Sequence, residues 1–475
     1  MRQEDYLARD GLGLAALVAR GEVSPEEVLD AAIARLSAMN PAINAISARF
    51  FDLGRAAIRA GLPEGPFRGV PYMTKDLETA VKGAPLANGS RLFAGRAMDY
   101  DSTLTERLKR AGLVLFAQTT SPEFGLTATT ESLLHGPTRN PWNLERTPGG
   151  SSGGAAAAVA TGIVPMAQAS DGGGSIRTPA SCCGLFGLKP SRARVPRGPY
   201  RTESWCGYSV AHAITRSVRD SAALLDATQG PERGARTIAR PPERPYLEEV
   251  GRPPGRLRIA LVTRPPTDVP VHPDCLDALA DAGRLLEDLG HHVEEATPPV
   301  DGEALARGIT AIVATDVRRI LEDEGRARGR PVTEGEVELI TWKLHELGGR
   351  LTGMDLLRAL DAAQTAGIAW GAFTTTYDVA LSPTLGKPPI ELGKVALTPS
   401  DPDAYAQELA GFMPFTSLHN ATGAPAMSVP LAWNTDGLPV GLMFAGRIGD
   451  EATLFRLAAQ LEKARPWADR HPPLW

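Results

Sequence analysis

Residues 147–177 constrain the fold of this chain more than any other stretch. They contain two glycine clusters, with Ser151 and Ser152 in the first and Ser175 in the second. Glycine costs backbone entropy on folding, so two such clusters indicate tight turns or close approaches of the backbone. The alanine-rich run 155–160 between them favours a helix. The apolar residues 176–188 that follow predict a buried wall, which argues against a flexible linker.

The rest of the chain alternates between helical and strand patterns, which is typical of an α/β protein. Ser24 and Glu27 form a capping box, with proline at the first helical position, before a helix expected to end near Asn40 and Pro41. Residues 230–254 are rich in proline and arginine and predict a connection. Further helices are predicted at 103–111, 218–227, 275–289, over most of 303–376 and at 451–464, strands at 69–74, 113–117, 257–263 and 292–295, and a hairpin around 434–437.

Composition excludes several classes of protein. The 475 residues carry a net charge of −5 and show no block of lysine or arginine, so nothing indicates nucleic-acid binding. No run approaches 18 uninterrupted apolar residues and no signal peptide is evident, which predicts a soluble protein rather than a membrane protein. Four cysteines in so long a chain argue against a disulfide scaffold and predict a cytoplasmic location.

Four motifs resemble those of the amidase signature family of serine hydrolases. They are G-V-P-Y-M-T-K-D at 69–76, G-G-S-S-G-G at 149–154, D-G-G-G-S-I-R at 171–177 and C-G-L-F-G-L-K-P at 183–190. The resemblance implies an α/β fold in a single domain spanning 1–475, with a mixed central β-sheet covered by helices on both faces. It further implies a signature core at 62–222 and a helical segment at 303–376 that lines the substrate cleft.

The residues themselves suggest a hydrolytic site. Ser175 is the candidate nucleophile, because the glycines before it allow several backbone N–H groups to surround one carbonyl oxygen. The candidate oxyanion hole is therefore made by Gly172, Gly173, Gly174 and Ser175. Lys75 lies in an apolar, strand-like segment, where burial disfavours the ammonium and can leave a neutral amine that acts as a base.

The resemblance adds roles for further residues. In the family, a lysine, a serine preceded by a cis peptide bond and a nucleophilic serine form the catalytic triad, which corresponds to Lys75, Ser151 and Ser175. It also implies that Ser152, Asp171 and Arg177 support the glycine turn, and Thr129, Thr130 and Glu131 are predicted to contribute to substrate binding. Gly172 departs from the family pattern, which commonly has threonine or a bulkier residue at this position.

Other catalytic arrangements have less support in the sequence than the lysine–serine–serine triad. Residues 149–153 satisfy G-x-S-x-G, the nucleophile elbow of α/β-hydrolases, but turn residues rather than a strand precede them. His212 is a candidate base in a serine–histidine triad. No metal-binding motif occurs, so no metal and no cofactor are expected.

Residues 129–143 look closest to the branch of the family that contains nylon-oligomer cyclic-dimer hydrolases, aryl acylamidases and urethanases. The predicted pocket wall, made by the loop after Pro122, by 303–376 and by 412–418, has few charges. We therefore expect a small-molecule substrate, a neutral and partly apolar amide, anilide or carbamate, with esterase and urethanase side activity. The alternatives are the glutaminase-type A subunit of an aminoacyl-tRNA amidotransferase, disfavoured by 212–216, and a non-catalytic binding homologue. The sequence assigns no oligomeric state.

Overall fold

Helices and strands alternate along the chain in the computed structural model, which describes all of residues 1–475. The strands β1 to β13 are Ile46–Arg49, Pro71–Lys75, Val114–Thr119, Glu131–Ser132, Gly136–Pro137, Met166–Asp171, Phe186–Lys189, Val210–Thr215, Arg258–Leu261, His292–Glu295, Val379–Pro383, Ala426–Trp433 and Pro439–Ala445. The helices α1 to α16 are Gln3–Leu7, Gly11–Ala19, Pro25–Ile43, Phe51–Ala60, Thr103–Arg110, Gly153–Ala160, Arg177–Cys183, Val218–Thr228, Tyr246–Val250, Pro273–Asp288, Gly302–Ala327, Leu339–Arg350, Gly353–Thr376, Pro402–Phe412, Leu418–Thr422 and Glu451–Ala464.

Eleven strands form one mixed sheet, in the order β1-β3-β2-β6-β8-β7-β12-β13-β11-β9-β10. Strand β2 is parallel to both β3 and β6, and β9 is parallel to β10 and β11, whereas the other pairs are antiparallel. Every residue of β2, β3, β6, β8, β11 and β13 is buried. Because successive side chains of a strand point to opposite faces, both faces of the sheet are covered. The predicted α/β fold with a mixed central sheet is confirmed.

Most predicted elements occur close to their expected bounds. Ser24 and Glu27 form the predicted capping box: the Glu27 amide donates to Ser24 Oγ, and the Glu27 carboxylate accepts from the Ser24 amide at 2.8 Å. Helix α3 continues past the expected end at Asn40 and Pro41 and stops at Asn44, which adopts a left-handed φ of 50°. The predicted hairpin is formed by β12 and β13.

The segment 230–254 differs from the prediction of a plain connection. It contains the short helix α9, which begins at Tyr246. The Asp226 carboxylate accepts hydrogen bonds from the amides of Tyr246 and Leu247 at 2.7 and 2.9 Å. A carboxylate at a helix N-terminus satisfies amides that have no partner inside the helix. This interaction comes from a neighbouring helix, so local sequence did not indicate it.

The sheet topology brings two functional segments to one edge. Strands β2 and β6 are adjacent and parallel, with Met73 aligned to Ala167. Their carboxyl ends therefore lie at the same edge, where β2 ends in Lys75 and β6 ends in Asp171. Helix α6 precedes β6, and α7 begins directly after the second glycine cluster. No helix is both long enough and apolar enough to cross a membrane.

Candidate active site

Lys75 lies at the centre of a fully buried polar cluster. Its side chain has no exposed surface. The Nζ atom lies 2.7 Å from Ser151 Oγ and 3.1 Å from Ser170 Oγ. The Lys75 amide donates to Gln168 Oε1 at 2.8 Å, which joins the end of β2 to β6. The amine is thus held by two hydroxyl groups, away from bulk water.

Burial changes the protonation of this lysine. Loss of hydration disfavours the ammonium and lowers the pKa of Lys75 from 10.5 to about 7, although the carboxylates of Glu78 and Asp171 act in the opposite direction. A substantial fraction of Lys75 is therefore neutral at pH 7. A neutral amine can accept a proton from a hydroxyl group within hydrogen-bond distance.

Ser151 occupies a tightly packed loop. The Gly150–Ser151 peptide bond is cis, as the resemblance implied. A Cβ atom on Gly150 would lie 2.2 Å from the carbonyl oxygen of Thr129, so only glycine fits there. The Thr130 hydroxyl donates to the Gly149 carbonyl at 3.0 Å and accepts from the Gly153 amide at 3.1 Å. The loop is consequently fixed on both sides of Ser151.

The second glycine cluster presents free donors. The backbone N–H groups of Gly172, Gly173, Gly174 and Ser175 donate to no protein acceptor. Gly173 and Ser175 are partly exposed, whereas the neighbouring residues of the turn are buried. Gly174 has a φ of +146°, and a Cβ atom there would lie 2.5 Å from Thr416 Oγ1. The turn can therefore offer amide protons to a bound oxygen atom.

A buried ion pair holds the base of this turn. Arg177 donates to both carboxylate oxygens of Asp171, at 2.8 and 3.0 Å, and both side chains are fully buried. Asn420 Nδ2 donates to the same carboxylate at 2.9 Å, and Arg177 donates to Asn420 Oδ1 at 2.7 Å. Burial raises the pKa of the Asp171 carboxyl, but the charge and hydrogen bonds of Arg177 outweigh it and hold that pKa below its usual range. Asp171 is therefore ionised.

Ser152 and the three residues at 129–131 have structural contacts of their own. Ser152 Oγ donates to the Ser170 carbonyl at 3.3 Å. Thr129 Oγ1 donates to the Val395 carbonyl at 3.1 Å, and Glu131 accepts from the Gly393 amide at 2.7 Å. These contacts join the Ser151 loop to the segment around residue 394. The predicted role of Thr129, Thr130 and Glu131 in substrate binding stays a prediction.

His212 lies on the opposite face of the sheet from Ser170. Strand β8 pairs His212 with Ala169, the neighbour of Ser170 in β6, and neighbouring side chains of a strand point to opposite faces. Its Nε2 atom lies 2.8 Å from Ser221 Oγ, and burial lowers the pKa of His212 to about 4. The structure does not bring His212 to the serine cluster. No group of three or more histidine, cysteine, aspartate or glutamate side chains is placed to hold a metal ion.

Sequence reasoning missed several residues that contact the site. Ser170 is the second partner of Lys75, and alternation along a buried strand that also contains Gln168 was the signal that could have identified it. Thr416 lies in the predicted wall segment 412–418, but its contact was not predicted: its hydroxyl donates to the Gly173 carbonyl at 2.5 Å. Asn420 joins the Asp171–Arg177 pair from a segment more than 240 residues away. No local pattern predicts such a contact.

A cavity of about 300 Å³ lies near the site, although Lys75, Ser151 and residues 172–175 are not among the residues that line it. Two of the residues that line the cavity also contact the site. Leu77 packs against Gly125, as Ser151 does, and Trp205 packs against Gly172. Two of the three predicted wall segments line this cavity. The loop after Pro122 contributes Phe124 and Leu126, and the segment 303–376 contributes residues 316, 317 and 320. The third predicted segment, 412–418, does not line it.

The predicted wall segments contribute one charged residue to this cavity, Asp316, but other segments add five more. Glu78, Glu203, Asp316, Arg96, Arg197 and Arg201 all line the cavity. Most of them come from segments that the sequence did not assign to the pocket. All except Arg201 form ion pairs, with Arg197 contacting Glu78 and the others contacting Glu324, Arg236 and Arg319. The wall is therefore polar but largely charge-compensated.

Comparison with known proteins identifies the family of this chain. The family model described as Amidase matches residues 27–455. The chain is 36% identical over 480 residues to a 6-aminohexanoate-cyclic-dimer hydrolase of Paenarthrobacter ureafaciens, covering 98% of this chain and 97% of that protein.

Two solved structures are also similar. The structure of a 6-aminohexanoate cyclic dimer hydrolase has a TM-score of 0.92 at 35% identity, covering 98% of this chain and 99% of the other. That of a bacterial aryl acylamidase has a TM-score of 0.87 at 27% identity, covering 97% of each. The chain therefore belongs to the amidase signature family, whose members are hydrolases acting on carbon–nitrogen bonds.

Proposed function

We propose that this protein hydrolyses neutral, partly apolar amides through an acyl-enzyme on Ser175, with Lys75 as the base and Ser151 as the bridge between them. The observation that carries the proposal is the 2.7 Å contact between Lys75 Nζ and Ser151 Oγ inside a region closed to water. An unassisted serine hydroxyl is a poor nucleophile at neutral pH and needs an adjacent base. A lysine with a pKa of about 7 meets that need.

The proposed reaction starts from the Lys75–Ser151 contact and takes the proton transfer between Ser175 and Ser151 from the triad that the family resemblance implies. Neutral Lys75 takes a proton from Ser151 as Ser151 takes one from Ser175, and Ser175 Oγ forms a bond to the carbonyl carbon. The developing oxyanion accepts hydrogen bonds from the free amides of the glycine turn. The carbon–nitrogen bond then breaks, and the amine leaves with the proton returned by Lys75 through Ser151. Water repeats the sequence on the ester and releases the acid.

The cavity and the relatives support the choice of substrate. Its apolar part is formed by residues such as Leu86, Phe93 and Phe124, and most of its charges are paired within the protein. The related proteins are named for a cyclic amide dimer and for aryl amides. Carbamates and esters present the same carbonyl to Ser175, so we expect turnover of both.

A panel of substrates and variants tests the proposal. We expect the wild type to cleave a p-nitroanilide, an aryl carbamate and a p-nitrophenyl ester. Replacing Ser175 or Ser151 with alanine, or Lys75 with methionine, should lower kcat by at least about 10³-fold, as when a group that activates a nucleophile is removed. Thermal unfolding of each variant distinguishes lost chemistry from lost fold.

Lys189 provides a matched control. It is also fully buried, and burial lowers its pKa to about 7, but its Nζ atom donates only to the Pro190 carbonyl. Lys189→Met should retain kcat within about tenfold, and His212→Ala should do the same. Loss of activity in His212→Ala with retention in Lys75→Met would contradict the proposal. A wild type inactive on the whole panel that releases ammonia from glutamine would instead indicate the amidotransferase subunit.

A further inference from the structure

Trp205 packs directly against the first glycine of the oxyanion turn. A Cβ atom on Gly172 would lie 2.6 and 2.7 Å from two carbons of the Trp205 ring. The φ of Gly172 is not in the left-handed region, so the backbone conformation does not require glycine there. The ring requires it. The Trp205 indole therefore occupies the space that a side chain at position 172 would need, which explains the unusual glycine there.

The short turn that carries Trp205 is held on both sides. Trp205, Cys206 and Gly207 have positive φ values of 48°, 51° and 86° in succession. The Ser204 hydroxyl donates to Glu78 at 2.7 Å, and Arg192 Nε donates to the Gly207 carbonyl at 2.9 Å. The ring position is thus determined by contacts on either side of it.

Trp205 also lies between two cavities. It lines the cavity of about 300 Å³ that Leu77 also lines and a second one of about 380 Å³, which Ile312 and Leu356 also line. The indole N–H donates to no protein acceptor, and the residue is partly exposed. At the next position of the turn, a Cβ atom on Gly173 would be in ordinary contact with Ile309 and Met413, at 3.8 and 3.9 Å. The turn is therefore faced by an indole at Gly172 and by flexible aliphatic side chains at Gly173.

We infer that Trp205 sets the width of the pocket beside the reacting carbonyl and selects acyl groups that are linear or flat at the carbon next to it. The ring is rigid and already contacts the turn that would bind the carbonyl oxygen. An acyl group branched at that carbon would have to displace it. This inference rests on the proposed amide hydrolysis and assigns the substrate selectivity of the same site.

The test compares the p-nitroanilides of butyrate and pivalate, which are linear and branched next to the carbonyl. The wild type should prefer butyrate in kcat/KM. Trp205→Ala should raise the pivalate-to-butyrate ratio at least tenfold, because one extra or missing methylene in an apolar pocket changes kcat/KM by about 10- to 200-fold. The matched control is Trp433→Ala, a partly exposed tryptophan that lines neither cavity, and it should leave the ratio unchanged.

A double-mutant cycle tests the pairing with Gly172. Gly172→Ala alone should lower kcat/KM for butyrate at least tenfold, and Trp205→Ala should relieve that loss in the double variant. An unchanged pivalate-to-butyrate ratio in Trp205→Ala, or equal losses from Gly172→Ala in both backgrounds, would overturn the inference. A wild type that cleaves neither anilide would instead count against the proposed amide hydrolysis.

Discussion

Replacing Lys75 with methionine should abolish activity and, at the same time, stabilise the fold at neutral and acidic pH. The lysine is fully buried, and its pKa of about 7 compares with 10.5 for a hydrated lysine. At 1.36 kcal/mol per pH unit, that difference corresponds to about 5 kcal/mol of destabilisation at pH 6. Methionine fills a similar volume without a charge. The hydroxyls of Ser151 and Ser170 lose a partner, which costs about 1–2 kcal/mol each, so a net gain of about 1–3 kcal/mol is expected.

The stability difference between the wild type and Lys75→Met depends on pH. The unfolded chain keeps the Lys75 proton up to pH 10.5, whereas the folded protein releases it above about 7. Between these values the unfolded state binds more protons, so the wild type gains stability from this group as pH rises. Below pH 7 both states are protonated and the destabilisation is constant. The advantage of Lys75→Met should therefore be largest below pH 7 and should turn into a net loss of stability toward pH 10.5, where only the cost of the two unpartnered hydroxyls remains.

Reversible urea unfolding at pH 6 and pH 10, followed by tryptophan fluorescence, measures the effect. Groups common to both proteins cancel in the difference between wild type and variant. We expect the free-energy difference to fall by several kcal/mol between the two pH values. A difference independent of pH would show that Lys75 does not titrate in this interval and would refute the reasoning.

Three further substitutions follow from the contacts of the site. Asp171→Asn leaves the Arg177 guanidinium buried without its counter-charge and should lower the free energy of unfolding by about 3–5 kcal/mol, measured by urea titration; no change would contradict the role of the pair. Glu78→Gln removes a carboxylate that raises the pKa of Lys75, so the acidic limb of the kcat/KM profile should move to lower pH, and movement to higher pH would be inconsistent. Thr130→Val removes the hydroxyl that contacts Gly149 and Gly153, and calorimetry should detect a loss of about 1–3 kcal/mol with a lower kcat.

Local patterns were sufficient for most elements of the fold. The short apolar segment 69–74 predicted the strand that ends in Lys75, and the capping box at Ser24 predicted the start of α3. Residues 451–464 predicted α16 at its exact bounds. These features depend on neighbouring residues, whose periodicity and capping chemistry are visible in the sequence.

Contacts between distant segments were not predictable in the same way. Thr416 and Asn420 reach the glycine turn from the far end of the chain, and Glu78 pairs with Arg197 across more than 100 residues. The charged cavity wall and the ring of Trp205 against Gly172 arise only when these segments come together. The sequence identified the departure at Gly172, but its cause lies in tertiary packing.

In the proposed mechanism, a neutral Lys75 activates Ser175 through Ser151. The rate at which an organophosphonate modifies Ser175, measured from pH 5 to 10 with mass spectrometry of the labelled peptide, tests this directly. We expect one label per chain on Ser175, at a rate that rises with pH about a midpoint near 7 and is abolished in Lys75→Met. A midpoint above 9, labelling of another residue, or unchanged labelling in Lys75→Met would contradict it.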